Sequence, residues 1–547
     1  MRIFVNRYRW IALAVIGLAL FVATNWLPVA NGRDGTKLSV ETDRALTKQA
    51  AAAAAEAWVK QQTGGTSPFR IVGPVSFQVD TVLSGYLTKE KLAPAYAERY
   101  RTLYPVEYWQ VEMENSSGAR YLVDIEMEKG AVAGWRRQAV GSAPAKEEGQ
   151  RIAETYLRQN ALLPQSYTVR GPDSKHPYRY VFTIPGERIG DAVLEREVEV
   201  RGLEVTAYHA GFQAPDAYKA WLDRQESASG GMSRWNLILT AIMALGAIYY
   251  AIRLRKVTAF RRGVLLALVF VGLYALNNWN QLPAMQALGF SESPDPFSGH
   301  ATAIALSIIS TLFAAALGLV TYLSLTAGTT MWRVYDGAAW PRWGETEFGR
   351  ETLRSMGRGY GLALFMLGLQ GVMLWIAQAG FGMWSVNDPS SSYYNLLHPG
   401  LFPLMAWAAA ISEEAIYRLF GVAFFHRLIR HKFIAVLAPS LIWAFNHTLY
   451  PIYPVYTRLI EVTLLGLLFG YAMLKYGFLT ALFAHAVIDS TLMALPLIGG
   501  SDAGLALAGI VYLASPALVA GAIWWWHRRR GARLKSSGST LPPATPS

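Results

Sequence analysis

Apolar runs long enough to cross a bilayer recur from Trp235 almost to the C-terminal end, and one more lies at 10–28. Inside hydrocarbon every backbone N–H and C=O must find its partner within the protein, so runs of this length fold as spanning helices. They fall near 10–28, 235–253, 263–281, 301–327, 359–381, 399–425, 433–449, 459–475, 478–496 and 503–526, about ten spans. Composition agrees: 52% of residues are hydrophobic and only 16% charged, a balance that suits lipid as the solvent for much of the chain.

The basic residues orient the layout. Segments placed inside carry Arg253, Arg255, Lys256, Arg261 and Arg262, then Arg427, Arg430 and Lys432, and finally Arg528, Arg529 and Arg530, whereas the short segments 282–300, 382–398, 450–458 and 497–502 carry only Arg458. By the positive-inside rule both termini lie in the cytoplasm and 31–233 lies outside. The formal net charge of +12 then belongs to loops facing anionic lipid, and no nucleic-acid partner is expected. With no cysteine in the chain, disulfides, thiolate metal sites and a Cys nucleophile are excluded. The first run lacks an obvious cleavage site and reads as an uncleaved anchor. Segment 331–358 reads as an interfacial amphipathic stretch, Gly466 and Gly470 as a close helix contact, Arg458 with Glu461 as a snorkelling pair, and the Ser/Pro/Thr-rich tail 536–547 as disordered.

The polar stretch 31–233 contains an internal repeat. Each half opens with a helical pattern (Ala53, Ala57, Trp58 and Val59; Ile152, Ala153, Tyr156 and Leu157) and continues in period-two strands. Trp109, Val111 and Met113, then Tyr121, Val123, Ile125 and Met127, are answered by Tyr180, Phe182 and Ile184, then Val198 and Val200. Lys129-Gly130 and Arg201-Gly202 precede the last strand of each half, where a tight turn needs Gly. Two α+β units result, each a helix on a meander, and they resemble PepSY/cystatin-like modules found outside bacterial membranes. A protein partner for this extracytoplasmic domain is one expectation that follows.

Three spans carry groups that do not belong in hydrocarbon: Glu413, Glu414 and Arg418 in 399–425, His447 in 433–449, and His485 with Asp489 in 478–496. A central charge disfavours insertion by roughly 2.5–3.5 kcal/mol, so the set amounts to about 10 kcal/mol before pairing, and an intramembrane ionisable group is a functional residue by default. Glu414 and Arg418, at i and i+4, suit an ion pair along one helix face. Glu413 is turned about 100° away and faces another neighbour. In the pair His485 and Asp489 the carboxylate can orient the imidazole, while Trp443 at i−4 from His447 can wall the pocket. Such parts deprotonate water and polarise a carbonyl, or bind a divalent metal that does both.

EExxxR, then an aromatic residue four before a His, then HxxxD resembles the CPBP (CAAX protease and bacteriocin-processing, or Abi) family of intramembrane proteases, over about 395–500. The resemblance implies an endopeptidase acting on a membrane-associated protein or peptide, in which Glu413 and His447 activate water and His485 with Asp489 stabilises the oxyanion. Two positions depart from the family pattern: Trp443 stands where Phe is usual, and Asp489 where Asn is usual. An ionised carboxylate only accepts hydrogen bonds, so Asp489 supports an oxyanion only when protonated or through His485. No cofactor is expected; a zinc ion, if used, would take Glu413, His447 and His485. A catalytically silent scaffold on the same fold, or an ion-coupled transporter, is the alternative. The chain thus divides into an anchor (1–30), an extracytoplasmic domain (31–233), further spans (234–394), the catalytic core (395–500) and a last span with its tail (501–547). The composite is a polytopic α-helical membrane protein with an inserted α+β domain, suited to a bacterial plasma membrane.

Overall fold

The computed structural model describes residues 2–30, 38–40, 44–65, 68–292, 296–338, 340–341, 343–345 and 347–537. Residues 538–547 of the tail lie outside the described residues. The chain is mostly helical, with a sheet-rich region toward its N-terminal end.

Helix α1 (Arg2–Ala30) precedes that region. In its first half α2 (Lys48–Thr63) starts where the Thr47 hydroxyl accepts from the Ala50 N–H, an N-cap that satisfies an otherwise orphaned donor. Strands β1 (Phe69–Ile71) and β2 (Ser76–Val79), helices α3 (Thr81–Lys89) and α4 (Ala93–Arg99), and strands β3 (Glu107–Asn115), β4 (Arg120–Glu126) and β5 (Val132–Arg137) follow. In the second half α5 (Lys146–Gln159) leads into β6 (Thr168–Arg170), β7 (Arg179–Ile189), β8 (Ala192–Arg201) and β9 (Glu204–Gln213). The helices and strands read from the repeat are all present. Gly130 and Gly202 sit at φ +74° and +58°, a conformation that glycine adopts without strain.

The two meanders are not separate sheets. They join through β5 and β9 in one nine-stranded antiparallel sheet, ordered β1-β3-β4-β5-β9-β8-β7-β6 with β2 also on β3. Each last strand would otherwise present an unpaired edge, and pairing the two edges satisfies both. Helix α2 buries Ala51, Ala55 and Val59 against Trp109, Val111, Val123 and Ile125, and α5 buries Ala153 and Leu157 against Tyr180, Phe182, Val198 and Val200. Helices α3 and α4 have no counterpart in the second half. They carry Leu83, Tyr86, Leu87 and Tyr96 onto Ile184, Leu194 and Phe212.

Beyond the sheet lie α6 (Asp216–Arg253), α7 (Val264–Asn280), α8 (Leu282–Glu292), α9 (Gly299–Tyr335) and α10 (Glu347–Phe381). A two-residue strand β10 (Trp384–Ser385) leads to α11 (Leu404–Glu413), a π-helical segment Glu414–Val422, and α12 (Ala423–Ile429). Then come α13 (Lys432–His447), β11 (Ile452–Tyr453), α14 (Val455–Tyr476), α15 (Phe478–Ile498) and α16 (Ala503–Ser537). Among the described residues seven helices are long and apolar enough to cross a membrane: α1, α6, α9, α10, α14, α15 and α16. The remaining runs of the sequence layout fall on α7, on α11 to α12 and on α13, which are shorter or interrupted. Exposed Ile238, Ile242, Leu245, Tyr249 and Ile252 recur every three or four residues of α6, and Ile304, Ile308 and Leu312 do so on α9. Such contiguous apolar faces suit lipid contact. This is a multi-pass membrane protein.

Close helix approaches assemble the bundle. A Cβ on Gly17 of α1 would meet the Leu364 backbone of α10, and one on Gly368 would meet Gly17. The Gly466/Gly470 contact places α14 against Ser440 and Val436 of α13, the helix that ends in His447. Segment 331–358 is not a separate interfacial element: α9 runs on to Tyr335 and α10 starts at Glu347. Met331 and Trp332 are core, and the Trp332 indole donates to Leu419 O at 2.8 Å. The segment's buried positions pack in two places, Trp332 on the π segment and Gly349 against Trp524 and His527 of α16.

The loops between spans dock on the sheet. Asn395 uses its side-chain amide as a strand partner, accepting from Phe77 N and donating to Phe77 O, both at 2.7 Å. Gln78 of β2 donates to Ala287 O of α8. The ribbon β10–β11 packs Trp384 and Tyr453 against Tyr86, Tyr218 and Leu222, so the sheet region rests on a strand that begins at Ile452, shortly after His447.

Candidate active site

The π segment starts at Glu414, one residue past Glu413. π-Helical turns are rare and recur at functional sites. This one is held from outside by Trp332 on Leu419 O and by the Tyr417 hydroxyl, which accepts from Asn236 Nδ2 at 3.0 Å and lies 3.1 Å from Thr240 Oγ1. Asn236 also donates to Ile442 O at 2.7 Å, tying α6 to both the π segment and α13. Asn236 was not among the sequence candidates, although a polar residue just inside a span is the signal that could have found it.

Four elements bring the predicted residues together. Glu414 is fully buried and Oε1 lies 2.8 Å from His485 Nδ1 and 3.3 Å from Arg418 Nη1. The expected Glu414–Arg418 ion pair is present, but Glu414 also anchors His485, which helical spacing could not reveal because the two are 71 residues apart. His485 Nε2 faces Asp489 Oδ2 at 3.3 Å and Glu413 Oε2 at 3.8 Å. An imidazole with a carboxylate on each nitrogen donates to both only when it holds two protons; otherwise one carboxyl holds a proton. Its ring stacks on Phe469 at 4.9 Å between centroids, a contact with no sequence signal in an apolar helix.

Glu413 and Asp489 keep partial access, with side chains 26% and 22% exposed, whereas Arg418 is 1% exposed. The Arg418 guanidinium lies 4.0 Å from the Trp443 ring centre and 5.2 Å from that of Phe469, and none of its nitrogens makes a hydrogen bond with conventional geometry. It is held by the Glu414 charge and by two aromatic faces.

Trp443 does more than wall the pocket. Its indole N–H donates to Glu413 Oε2, and its backbone carbonyl lies 3.0 Å from His447 Nδ1. With Nδ1–H on that carbonyl, His447 Nε2 is left as the basic nitrogen. Glu413 and His447 are joined through Trp443 and not by a direct bond.

A catalytic zinc needs three converging protein donors. Among the described residues no group of three His, Asp or Glu is placed to hold a metal ion. His485 Nδ1 is turned to Glu414 and His447 Nδ1 to a carbonyl, which leaves Nε2 of each ring as the nitrogen that could meet water or a metal ion.

Arg458 and Glu461 also differ from expectation. Glu461 is 3% exposed, accepts twice from Arg458 Nη1 at 2.7–2.8 Å and receives Gln370 Nε2 of α10 at 2.7 Å. Glu461 bridges α14 to α10 through Gln370, while the Arg458 side chain stays 15% exposed.

Fold and cluster define a multi-pass membrane protein with a buried carboxylate–imidazole centre in its helical bundle. Residues 395–491 match the protease family described as type II CAAX prenyl endopeptidase Rce1-like. That stretch encloses Glu413, Glu414, Arg418, His447, His485 and Asp489, the residues that carried the resemblance in the sequence. Over 93 residues the chain is 28% identical to the sporulation-killing factor biosynthesis protein SkfC of Bacillus subtilis (strain 168). The shared stretch is 17% of this chain and 19% of that protein, so the likeness spans about a fifth of the relative's length. No solved structure matches.

Proposed function

We propose that the protein is an intramembrane endopeptidase that hydrolyses a peptide bond of a membrane-associated protein or peptide. The observation that carries this reading is the convergence of Glu413, Glu414 and Asp489 on His485, with His447 held on the same Trp443 that binds Glu413. In the proposed reaction Glu413 takes a proton from water while His447 Nε2 orients it, and the hydroxide attacks the carbonyl carbon. His485, held through Nδ1 by Glu414, turns its Nε2–H from Asp489 to the oxygen as negative charge develops there, the stage at which such donors act most strongly. Glu413 then returns its proton to the leaving amine.

Likeness to a protein named for the biosynthesis of a killing factor favours a maturation cleavage over general degradation. The finer layout of about ten spans, with residues 31–233 outside as two PepSY-like units and both termini cytoplasmic, is supported by the charge asymmetry of the loops. The docking of 282–300, 382–398 and 450–458 against the sheet region gives further support.

The test is cleavage of membrane-anchored peptide libraries by the purified chain in detergent. Glu413→Gln and His447→Ala should each lower turnover by about 10²–10⁴-fold, the usual contribution of general acid–base groups, with melting behaviour retained. Near-normal cleavage by Glu413→Gln removes the mechanism.

A further inference from the structure

We infer that the C-terminal part of α16 is a binding site for the headgroup of an anionic phospholipid, whatever the chain cleaves. The sequence there is Trp524-Trp525-Trp526-His527-Arg528-Arg529-Arg530. Residues four apart share a helix face, so each arginine stands over its own indole. The guanidinium carbons of Arg528, Arg529 and Arg530 lie 5.3, 3.9 and 5.2 Å from the ring centres of Trp524, Trp525 and Trp526. Successive residues turn by about 100°, so the three pairs form a collar round much of the helix.

The charge of this collar is unanswered within the protein. No Asp or Glu follows Asp502 in the sequence. Among the described residues none of the three guanidiniums pairs with a carboxylate, whereas Arg350, Arg354 and Arg358 of the neighbouring α10 reach Glu347 and Glu351 at 2.9–3.4 Å. An aromatic face attracts a cation through its quadrupole and leaves the full charge free to meet an anion. A phosphodiester presents oxygens that guanidinium groups bind in pairs.

The platform is fixed and faces lipid. His527 is 6% exposed and wedged among Trp343, Phe348 and Trp526, with ring centroids 5.1, 5.4 and 4.9 Å away, and Trp343 stacks on Trp526 at 5.3 Å. Gly349 lets α10 approach, since a Cβ there would lie 2.8 Å from His527 Cβ. That end of α10 is opposite Phe381, which leads into the ribbon on the sheet region. Leu507, Ile510, Val511 and Leu518 of α16 are exposed, an apolar flank about 16 Å long, close to half of a ~30 Å hydrocarbon core. Cations above such a flank suit a phosphate that carries acyl chains. A lipid held here braces more than α16: Ser515 accepts from the Trp407 indole of α11 at 3.0 Å, and Leu513 O from the Tyr360 hydroxyl of α10 at 2.6 Å.

The test is native mass spectrometry of the full chain in neutral detergent, offered phosphatidylglycerol or phosphatidylcholine of the same acyl chains, with melting temperature recorded in parallel. Each cation near an anionic headgroup favours binding by about fivefold, so three predict a preference for phosphatidylglycerol of about 10²-fold. Arg528→Gln, Arg529→Gln and Arg530→Gln combined should abolish that preference and the rise in melting temperature specific to phosphatidylglycerol. Arg350→Gln with Arg354→Gln, where the charges are already paired, should keep both. The three arginines changed together to Lys should restore the preference in part, because an ammonium keeps the charge and loses the paired bonds. Should the triple Gln protein fail to fold, Arg529→Gln alone should lower the ratio about fivefold, and an unmoved ratio in either protein overturns the inference. Equal retention of the two lipids by the parent overturns it too. Equal protection by glycerol phosphate would mark a site for soluble phosphate and overturn the assignment to lipid. The lipid ratio decides the matter even if the chain cleaves no peptide and the endopeptidase reading falls.

Discussion

Removing the Arg418 charge tests how the buried centre is held together. Arg418 and Glu414 are 1% and 0% exposed, with Nη1 and Oε1 3.3 Å apart. Loss of one partner from a buried pair typically destabilises by about 3–5 kcal/mol because the other charge is stranded. Here the magnitude falls at the lower end. Glu414 keeps His485 Nδ1 at 2.8 Å, and the unbonded guanidinium nitrogens of Arg418 carry a desolvation penalty that the substitution relieves. Against that, the stacking on Trp443 is lost, worth about 2 kcal/mol when desolvated. Arg418→Met, which retains bulk beside the ring, should therefore destabilise by about 3 kcal/mol, or several degrees of melting temperature at roughly 2 °C per kcal/mol for a large domain. Glu414→Gln combined with Arg418→Met should cost less than the two single changes together, with a coupling of about 1–3 kcal/mol. The assay is detergent melting of the four proteins of the cycle, with cleavage measured in parallel. Additive effects, or an Arg418→Met protein that is inactive with unchanged melting, would refute the argument and move Arg418 into the chemistry.

Exhaustive chelation should leave cleavage intact and the purified chain should hold no stoichiometric zinc; activity lost to a chelator and restored by Zn²⁺ alone would return Glu413, His447 and His485 to the role of ligands. Reporter fusions at Ala217 and Ser536 should report opposite compartments, and the same compartment for both breaks the span layout. In the sheet region, burial pushes the Lys48 amine down from 10.5 to about 8, while its Nζ donates to Leu396 O at 3.2 Å. The unfolded chain holds this proton more tightly, so stability rises as pH climbs from about 8 toward 10. Lys48→Met should accordingly raise the melting temperature more at about pH 7 than at about pH 10, and an equal gain at both would show that folding does not lower the Lys48 pKa.

Much of the molecule was legible from local sequence. Period-two alternation placed β3, β4, β7 and β8, and the Gly130 and Gly202 turns carry the positive φ that only short-range sterics require. The ten apolar runs all fall on helices, and the six candidate residues share one matched stretch. Charges in hydrocarbon are costly whatever the neighbours, so Glu413, Glu414, Arg418, His447, His485 and Asp489 stand out without any knowledge of partners.

Partners separated along the chain were not legible. Pairing of β5 with β9 depends on two edges meeting in space, not on either strand's pattern. Spacing assigned Glu414 to Arg418 alone, because i,i+4 rules see one helix, while His485 approaches from another. The same blindness hid the Gln370 contact that buries Glu461, and the packing of Trp332 on Leu419 that buries the start of the 331–358 stretch. Even the π segment follows from contacts with α6 and α9, since nothing in EAIYRLFGV favours i→i+5 bonding. Sequence determined which side chains could do chemistry, because desolvation is a property of each group; only the tertiary structure decided which nitrogen meets which oxygen, because hydrogen bonds act over a few ångströms between residues that the chain holds far apart.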